Sequence, residues 1–341
     1  MRLLLVGSDK IYAIENFYEK YIRRLGAEVS NFTAQNYFYE YYNRSVFNKV
    51  AYRVGVSRIT RRINKLFIAR IEEYKPDVIW IFKGMEIIPD SLRWAKHRGI
   101  PLVNYNPDNP FIFTGAGSGN ENVKKSIGLY DLHFTYNLEI KNRLEKDYSA
   151  RTFFLPFGFD LSEELFAECA AQQEVVKLCF AGNPDEKRVQ FLKRLAENGI
   201  EMDIYGNNWG RYLNHPSIKI FPPVYGDELW KVLRKYRIQL NMMRPHNEMS
   251  HNMRTFEVPG VGGIMLAPDT PEHRIFFNDA SEIFLFKDLK HCVQLIKEIL
   301  QLPEEAAISI RKNARLRSLK SGYRYEDRSA AALHEIKKLN A

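Results

Sequence analysis

The stretch Ser250–Gly263 (S-H-N-M-R-T-F-E-V-P-G-V-G-G) combines residue types that can bind a phosphorylated ligand. Apolar runs at Ile238–Met242 and Ile264–Ala267 flank it, so the pattern predicts a strand, a polar loop, a short helix and another strand. Arg254 would stand in the first helical turn, where the free amides bind anions and a cation opposes the helix dipole. A bound phosphate is one explanation for that arginine, and an ordinary surface position is the other.

Glu257 follows Arg254 by three residues and lies on the same face of the predicted helix. A carboxylate can accept hydrogen bonds from two hydroxyl groups at once, which suits a sugar ring such as ribose. The alternative is a salt bridge with Arg254 on a solvated helix face, because this spacing is common in helices. Spacing alone leaves both interpretations open.

The run R-T-F-E-V-P-G-V-G-G at residues 254–263 resembles the donor-site signature of GT-B glycosyltransferases, in the branch of the spore-maturation protein CgeB. The pattern there is roughly R-x-F-E-x-x-A-x-G-G, preceded by Leu-Asn and a short polar loop. This chain has Leu240 and Asn241 before the loop, and Gly260 in place of the alanine. The resemblance implies an α/β fold in which two Rossmann-like domains face each other across a cleft. It also implies sugar transfer from a nucleotide-diphospho sugar to an acceptor hydroxyl, without a metal.

The resemblance assigns the donor mainly to the second half of the chain. Glu257 would hold the ribose hydroxyls, and Lys187 and Arg254 would neutralise the diphosphate with help from the loop amides. The turn at Val224 and Tyr225 would lie against the nucleotide base. The complete set of expected donor-binding residues is Gly7, Gly182, Asn183, Lys187, Val224, Tyr225, Ser250, His251, Asn252, Arg254 and Glu257.

Two acidic residues are candidates for catalysis. Asp108 lies in a long loop at residues 106–119, and its P-D-N-P context resembles the D-D-P element of the same family. We therefore expect Asp108 to deprotonate or orient the acceptor hydroxyl, with an Asx-turn role as the alternative. Glu248 resembles the first member of a two-glutamate pattern, but it precedes Glu257 by nine residues instead of eight. Retaining or inverting chemistry therefore stays open.

The order of apolar runs predicts two α/β domains. A strand followed by glycine and a helix occurs at Arg2–Gly7 and again at Val175–Gly182, and 341 residues suffice for two domains. We expect an acceptor-side domain over residues 1–158 and a donor-binding domain over residues 174–322. The acidic, alanine-rich segment 161–173 is expected to be a linker. A helix at residues 323–341 is expected to cross back to the first domain, as the resemblance implies.

Aromatic and basic residues are concentrated in the first half. Tyr37–Tyr42 (Y-F-Y-E-Y-Y) predicts either a stacking surface for a sugar acceptor or core packing. Helical spacing of Ile59, Ile63, Leu66, Phe67 and Ile71 predicts an amphipathic helix. Its other face would be solvated, or would contact an anionic membrane or a phosphorylated acceptor through residues 44–70. Residues 41–71 include no acidic residue and eight basic ones, namely Arg44, Lys49, Arg53, Arg58, Arg61, Arg62, Lys65 and Arg70.

Composition limits the partners and the compartment. The formal charge of +9 suggests an anionic partner, although the basic run lacks a recognised nucleic-acid motif. Three widely spaced cysteines favour a reducing compartment, and the histidines lack metal-ligand spacing. No apolar run is long enough for a signal peptide or a transmembrane helix. We expect a cytoplasmic protein that binds a nucleotide sugar and a glycan, lipid-linked or protein acceptor, and no nucleic acid. A position at the inner face of the membrane stays open.

Three other interpretations compete with glycosyl transfer. The first is a nucleotide-sugar 2-epimerase on the same fold, which would need more acid and base residues than the sequence offers. The second is a basic protein that binds nucleic acid or an anionic coat. The third is a degenerate transferase retained for assembly, which would bind the donor without turnover.

Overall fold

The computed structural model describes residues 1–11, 13–113 and 117–339, and it divides into two compact α/β units. Unit 1 comprises Met1–Pro156 and Tyr325–Ala341, and unit 2 comprises Phe157–Arg324. Each unit contains one six-stranded sheet.

The sheet of unit 1 is parallel throughout. Its strands are β1 (Arg2–Val6), β2 (Glu28–Phe32), β3 (Val78–Phe82), β4 (Leu102–Asn106), β5 (Leu132–Thr135) and β6 (Thr152–Phe154). Their spatial order is β2-β1-β3-β4-β5-β6. Every residue of β3 and β4 is buried, as expected for central parallel strands that helices cover on both faces. The strand order reverses between β1 and β3. In such sheets a ligand binds beyond the carboxyl ends of the strands at this position.

Helices connect these strands. They are α1 (Ile14–Arg24), α2 (Ala34–Arg44), α3 (Val46–Arg53), α4 (Ile59–Tyr74), α5 (Pro89–Lys96), α6 (Glu121–Ser126) and α7 (Leu138–Tyr148). The apolar spacing of α4 works as the sequence predicts at Ile59, Ile63, Phe67 and Ile71, which are all buried. Leu66 departs from the prediction because it is 38% exposed.

The sheet of unit 2 is also parallel. Its strands are β7 (Val175–Ala181), β8 (Met202–Tyr205), β9 (Ile218–Phe221), β10 (Tyr236–Leu240), β11 (Met265–Pro268) and β12 (Phe284–Phe286). Their spatial order is β12-β11-β10-β7-β8-β9, which is the doubly wound order of dinucleotide-binding sheets. The order reverses between the central neighbours β7 and β10. The loops that follow these two strands therefore flank the expected ligand position.

The helices of unit 2 flank this sheet. They are α8 (Glu163–Ala170), α9 (Glu186–Glu197), α10 (Gly226–Lys235), α11 (Arg254–Gly260), α12 (Pro271–Phe276), α13 (Leu289–Leu300) and α14 (Glu304–Lys320). The apolar core contains residues from β7, β8, β10, α9 and α13.

The segment expected to be a linker is in fact helix α8. Ser162 caps it by accepting a hydrogen bond from the Leu165 amide at 3.2 Å, and Glu163 pairs with Arg315 at 2.8 Å. Alanine, leucine and glutamate are strong helix formers, so a segment rich in them folds as soon as it finds a surface to pack on. α8 packs against α10, and the unit boundary falls before it, at Pro156–Phe157, rather than within residues 159–173.

The last helix, α15 (Tyr325–Lys337), belongs to unit 1 and packs on α1. The Tyr325 ring stacks on Phe17 at 4.6 Å and meets Tyr18 edge-on at 5.6 Å. Within the described residues, no helix combines the length and the apolar character that crossing a bilayer requires. Cys169, Cys179 and Cys292 are buried free thiols.

Candidate active site

Two loops meet where the strand order of unit 2 reverses. One follows β7 and leads through Gly182 and Asn183 into α9. The other, residues 241–253, follows β10 and leads into α11. Asp185 caps α9, because its carboxylate accepts a hydrogen bond from the Arg188 amide at 3.0 Å.

Arg188 joins the two loops. Its Nη1 donates to the Asn183 carbonyl at 3.0 Å, and its Nη2 donates to the Met242 carbonyl at 2.6 Å. The side chain also pairs with Asp185 at 3.3 Å, and the residue is buried. Burial lowers the pKa of Arg188 to about 10, so the guanidinium stays charged at neutral pH. Arg188 thus fixes one loop relative to the other.

The sequence analysis chose Lys187 and gave Arg188 no separate role. The signal that favoured Arg254, a cation in the first turn of a helix, applies equally to Arg188. Lys187 instead pairs closely with Glu248, and the two side chains are 64% and 47% exposed. The structure therefore brings two predicted site residues together, but as a surface ion pair.

A pocket of about 100 Å³ lies at this edge of the sheet. Five predicted donor-binding residues line it, namely Gly182, Asn183, Val224, Tyr225 and Arg254. They come from three segments far apart in sequence, and the ends of β7 and β8 contribute Ala181, Tyr205 and Gly206. The planar ring of Tyr205 stacks on Phe221 at 4.7 Å, so one wall is a fixed aromatic surface.

Gly182 and Gly206 approach each other closely at the base of the pocket. The Gly182 amide donates to the Tyr205 carbonyl at 2.9 Å, and its carbonyl accepts from Trp209 Nε1 at 2.7 Å. A Cβ on Gly206 would lie 2.2 Å from the Gly182 oxygen, so only glycine fits there. The side chain of Asn183 is held as well, because its Oδ1 accepts from the Asn207 amide at 3.0 Å.

Arg254 and Glu257 form the ion pair that their spacing predicts, through Nη1 and Oε2. Arg254 is 26% exposed at its side chain, whereas Glu257 is 7% exposed and does not line the pocket. Among the described residues, the buried Arg254 Nε finds no hydrogen-bond partner, and Glu257 Oε1 accepts no hydrogen bond. The pair is thus a salt bridge with unused hydrogen-bonding capacity on both partners.

Three arginines give this edge a positive potential. Arg244 pairs with Asp185 at 3.2 Å, and the charges of Arg244 and Arg254 both contribute to lowering the pKa of Arg188 after burial. Asp185 and Glu257 offset part of this charge. The sequence analysis did not select Arg244, although a cation in the loop after a central strand was a usable signal.

A chain of hydrogen bonds fixes the loop before α11. Asn252 Nδ2 donates to Asn241 Oδ1 at 2.7 Å, and Asn241 Nδ2 donates to Thr255 Oγ1 at 3.2 Å. Thr255 Oγ1 also meets His273 Nε2 at 3.0 Å, while His273 Nδ1 meets the Pro268 carbonyl at 2.8 Å. Burial lowers the pKa of His273 to about 4, so the imidazole is neutral and Nε2 accepts the threonine hydrogen.

The predicted residues Ser250 and His251 lie inside the unit. They are 1% and 0% exposed, and both side chains contact Glu272, with His251 Nδ1 2.5 Å from Glu272 Oε2. The Ser250 and Asn252 amides donate internally at 3.3 Å, to the Asn247 carbonyl and to Thr255 Oγ1. The amides before the short helix α11 therefore bond within their own loop. The positive charge at this site comes from the cationic side chains instead.

In unit 1, Asp108 is paired rather than free. Its Oδ2 lies 2.6 Å from Lys83 Nζ, and its amide donates to Asn106 Oδ1 at 3.0 Å, so Asn106 forms the Asx turn. Lys83 ends β3 with a φ of +59°, an unusual conformation for a residue with a side chain. Residues 114–116 of the predicted functional loop lie outside the described residues.

Two further carboxyl groups lie near Lys83, and the sequence analysis named neither. Burial raises the pKa of Glu86 to about 7, while Lys83 lowers it and Glu15 raises it. Burial also raises the pKa of Glu15, which accepts a hydrogen bond from the Ser8 amide at 3.2 Å. Gly7 belongs to this region, because a Cβ there would lie 2.5 Å from Glu15 Oε1.

An aromatic cavity of about 470 Å³ opens beside Glu86. Phe38, Tyr39, Tyr42 and Tyr52 line it. Phe38 meets Tyr52 edge-on at 4.8 Å and stacks on Tyr42 at 5.5 Å, so the rings also pack on one another. The rings of the Tyr37–Tyr42 cluster therefore pack on one another and on Tyr52, and their role as a stacking surface for a sugar acceptor stays a prediction.

Comparison with known proteins gives a family match over part of the chain and solved structures that share its fold. Residues 187–334 match the family model described as "Glycosyl transferase-like", whereas no curated protein sequence matches the chain. Among solved structures, sucrose-phosphate synthase from Thermosynechococcus elongatus aligns with a TM-score of 0.70 at 11% identity over 99% of both chains. HepE from Anabaena, solved with UDP-glucose, aligns with a TM-score of 0.66 at 10% identity over 99% of this chain and 100% of its own.

A nucleotide-sugar epimerase also shares the fold. UDP-GlcNAc 2-epimerase from Neisseria meningitidis, bound to UDP-GlcNAc, aligns with a TM-score of 0.58 at 13% identity over 99% of this chain and 100% of its own. Residues 187–334 thus match a glycosyl transferase-like domain, and the two Rossmann-like units have the fold of the GT-B structures with which the chain aligns. Neither finding distinguishes the CgeB-like branch within the GT-B class.

Proposed function

We propose that this enzyme transfers a sugar from a nucleotide-diphospho sugar, bound by unit 2, to a hydroxyl group of a glycan, a lipid-linked molecule or a protein. The observation that carries the proposal is the pocket between the loops after β7, β8 and β9, with Arg254 in its wall. It lies beside the reversal of strand order, where doubly wound sheets bind nucleotides.

The donor residues would act on different parts of the ligand. Tyr225, 55% exposed, and Val224 offer a surface for the base, and Glu257 Oε1 is free to accept a ribose hydroxyl. Arg254 would stabilise the diphosphate, whose negative charge grows as the sugar leaves. Arg244 and Lys187 would add positive charge at the edge, and the arginines would replace a metal ion.

Thermal unfolding tests donor binding directly. The protein is heated with UDP, GDP, CDP, dTDP or CMP, and with the corresponding sugar nucleotides. A ligand at 100 times its dissociation constant adds about 2.7 kcal/mol to the free energy of unfolding, which shifts the midpoint visibly. A shift with one nucleotide would support the proposal and identify the donor class. A flat response to every nucleotide would contradict it.

The acceptor would bind to unit 1, at the carboxyl edge of its sheet. The aromatic cavity provides stacking surfaces, and Lys83, Asp108, Glu15 and Glu86 provide hydrogen-bonding groups beside it. Asp108 remains the proposed base. Glu86 is a second candidate, because a carboxyl with a pKa of about 7 exchanges protons readily at neutral pH and, among the described residues, it forms no ion pair.

Epimerisation of a nucleotide sugar is the alternative that the fold itself favours, given the alignment with UDP-GlcNAc 2-epimerase. Incubation with the matching sugar nucleotide alone distinguishes the two reactions. A transferase leaves the configuration of the sugar unchanged, whereas an epimerase produces a second sugar nucleotide that NMR resolves. We extend the proposal to peripheral contact between unit 1 and an anionic membrane surface through residues 44–70.

A further inference from the structure

Helix α3 and the turn after it expose an unusual amount of apolar surface. Phe47 is 86% exposed, Val46 is 74% exposed and Val50 is 50% exposed. Val54 and Val56 in the following turn are 64% and 71% exposed. Residues 46, 50 and 54 repeat every four positions, so they share one helix face with Phe47 beside them. Single exposed apolar residues are ordinary, whereas five within eleven positions form a patch.

The opposite face of α3 anchors the helix to unit 1. Tyr52 meets Phe38 edge-on at 4.8 Å and Tyr42 at 5.9 Å. Asn48 Nδ2 donates to the Tyr41 carbonyl at 2.7 Å, and Ser45 caps the helix by accepting from the Asn48 amide at 3.1 Å. The exposed apolar face is therefore held outward by defined contacts.

Seven cations that form no ion pair among the described residues lie within this patch or flank it in sequence. Of the eight basic residues between positions 41 and 71, only Arg70 forms an ion pair among the described residues, with Glu73 at 2.7 Å. The other seven are Arg44, Lys49, Arg53, Arg58, Arg61, Arg62 and Lys65. Elsewhere in unit 1, comparable surface cations have partners, such as Arg93 with Asp90 and Arg143 with Asp147. The positive electrostatic potential of this region thus attracts an anionic surface.

We propose that residues 46–56 insert into the interface of an anionic phospholipid bilayer, and that the seven cations within and beside this segment of the sequence bind its headgroups. Apolar side chains ringed by lysine and arginine are the combination that holds proteins at such interfaces. The inference rests on the proposed membrane contact but moves its centre from α4 to α3, because α4 buries its apolar residues within unit 1. It requires no particular donor or acceptor.

Vesicle sedimentation tests this surface. The full chain is mixed with phosphatidylcholine vesicles that contain or lack phosphatidylglycerol, at low and high salt. We expect binding to the anionic vesicles, weakened by salt because headgroup attraction is screened. Phe47→Ala with Val50→Ala should reduce the partition coefficient by at least about tenfold, given the apolar area that these side chains would bury. Arg58→Gln and Arg61→Gln should each reduce it about fivefold.

Matched controls keep the test specific. Ile308→Ala removes an apolar side chain that is 53% exposed in unit 2, and Lys146→Gln removes a cation from α7 in unit 1. Neither should change partitioning by more than about twofold, since a single distant charge is screened. Every variant should keep the thermal shift given by the preferred nucleotide, because these positions lie outside the unit 2 pocket. Loss of the thermal shift with nucleotide would count against the proposed donor binding and would leave the proposed membrane surface untouched.

Three results would overturn the inference. The first is no binding to anionic vesicles. The second is binding that the arginine variants abolish but the Phe47 and Val50 variant leaves intact, since that result describes surface attraction without insertion. The third is a concentration-dependent dimer that the same variant dissociates, since the patch would then be covered by a second copy of the chain.

Discussion

The two units share one architecture but present opposite chemistry at the same place. In each, residues of interest gather at the carboxyl edge of a parallel sheet where the strand order reverses, after β1 and β3 in unit 1 and after β7 and β10 in unit 2. Unit 2 places arginines there, whereas unit 1 places carboxyl groups around Lys83. The sheet thus determines where a ligand binds, and the loops determine which ligand.

The two units also differ in how the elements beside their sheets are held. In unit 2, the buried guanidinium of Arg188 and the chain from Asn252 to His273 fix both loops through side-chain hydrogen bonds. In unit 1, the exposed apolar helix α3 stands outside the sheet edge and carries unpaired charge. If unit 2 binds the donor and unit 1 faces a membrane, as proposed, a preorganised anion site and an open acceptor side would suit two substrates of different size.

The largest expected effect comes from substituting the proposed catalytic base in unit 1. Asp108→Asn should lower turnover by about 100-fold or more if Asp108 is the base, while leaving nucleotide binding unchanged. Steady-state kinetics and the thermal shift with nucleotide measure the two effects separately. Glu86→Gln is the matched variant, and whichever substitution abolishes the low-pH limb of the activity profile identifies the base, because a general base must be deprotonated to act. Full activity in the Asp108 variant would end the role proposed for it.

A pH titration compares the stability of the units. Burial lowers the pKa of His133 in unit 1 and of His273 in unit 2 to about 4, below the value of about 6.5 for an unfolded histidine. The unfolded chain therefore binds more protons between these values, so stability is complete above pH 6.5 and falls toward pH 4. Each histidine should cost about 3 kcal/mol over this window.

Denaturant unfolding at several pH values tests that loss. His273→Asn should flatten the pH dependence in unit 2 and leave that of unit 1 unchanged. In unit 2, an unfolding free energy that does not fall between pH 6.5 and pH 4 would show that the His273 imidazole is not buried in its neutral form. In unit 1, Glu86 acts in the opposite direction, because burial raises its pKa to about 7 and the folded chain gains stability as this carboxyl takes up a proton.

Substitutions within unit 2 sharpen the donor assignment. Arg254→Ala should weaken nucleotide binding by about 10- to 100-fold, because it removes a charged hydrogen bond and leaves the Glu257 carboxylate unpaired. Lys187→Ala is the comparison variant, and we expect a smaller effect because its exposed pair with Glu248 contributes at most about 1 kcal/mol. Isothermal titration calorimetry gives both affinities. Equal effects from the two variants would place the diphosphate at the exposed edge and not at Arg254.

Metal removal should have the smallest effect. If the arginines of unit 2 stabilise the leaving diphosphate, a chelator such as EDTA should leave turnover within about twofold of the untreated rate. The assay follows release of the nucleoside diphosphate before and after dialysis. A large loss of activity that Mg²⁺ or Mn²⁺ restores would assign that charge stabilisation to a metal ion.

Element types were predictable where the sequence pattern is local. The alternation of apolar strands with glycine and helices predicted β1, β7 and both Rossmann-like units. The three-residue spacing of Arg254 and Glu257 predicted their ion pair as the alternative to ligand binding. The edge strand β2 was missed because E-V-S-N-F contains only two strongly apolar residues. Helix α8 was missed because acidic and alanine-rich composition also describes linkers.

The sequence by itself determined the two Rossmann-like units, because the order of strand, glycine and helix is a short-range pattern. Only the tertiary structure decided which side chains can act, because that depends on burial and on partners distant in sequence. Arg188 became a link between loops, Lys187 a surface cation, and Ser250 and His251 core residues. Glu86 and the exposed face of α3 emerged only once the helices had packed, since a side chain's surroundings are not encoded by its immediate neighbours.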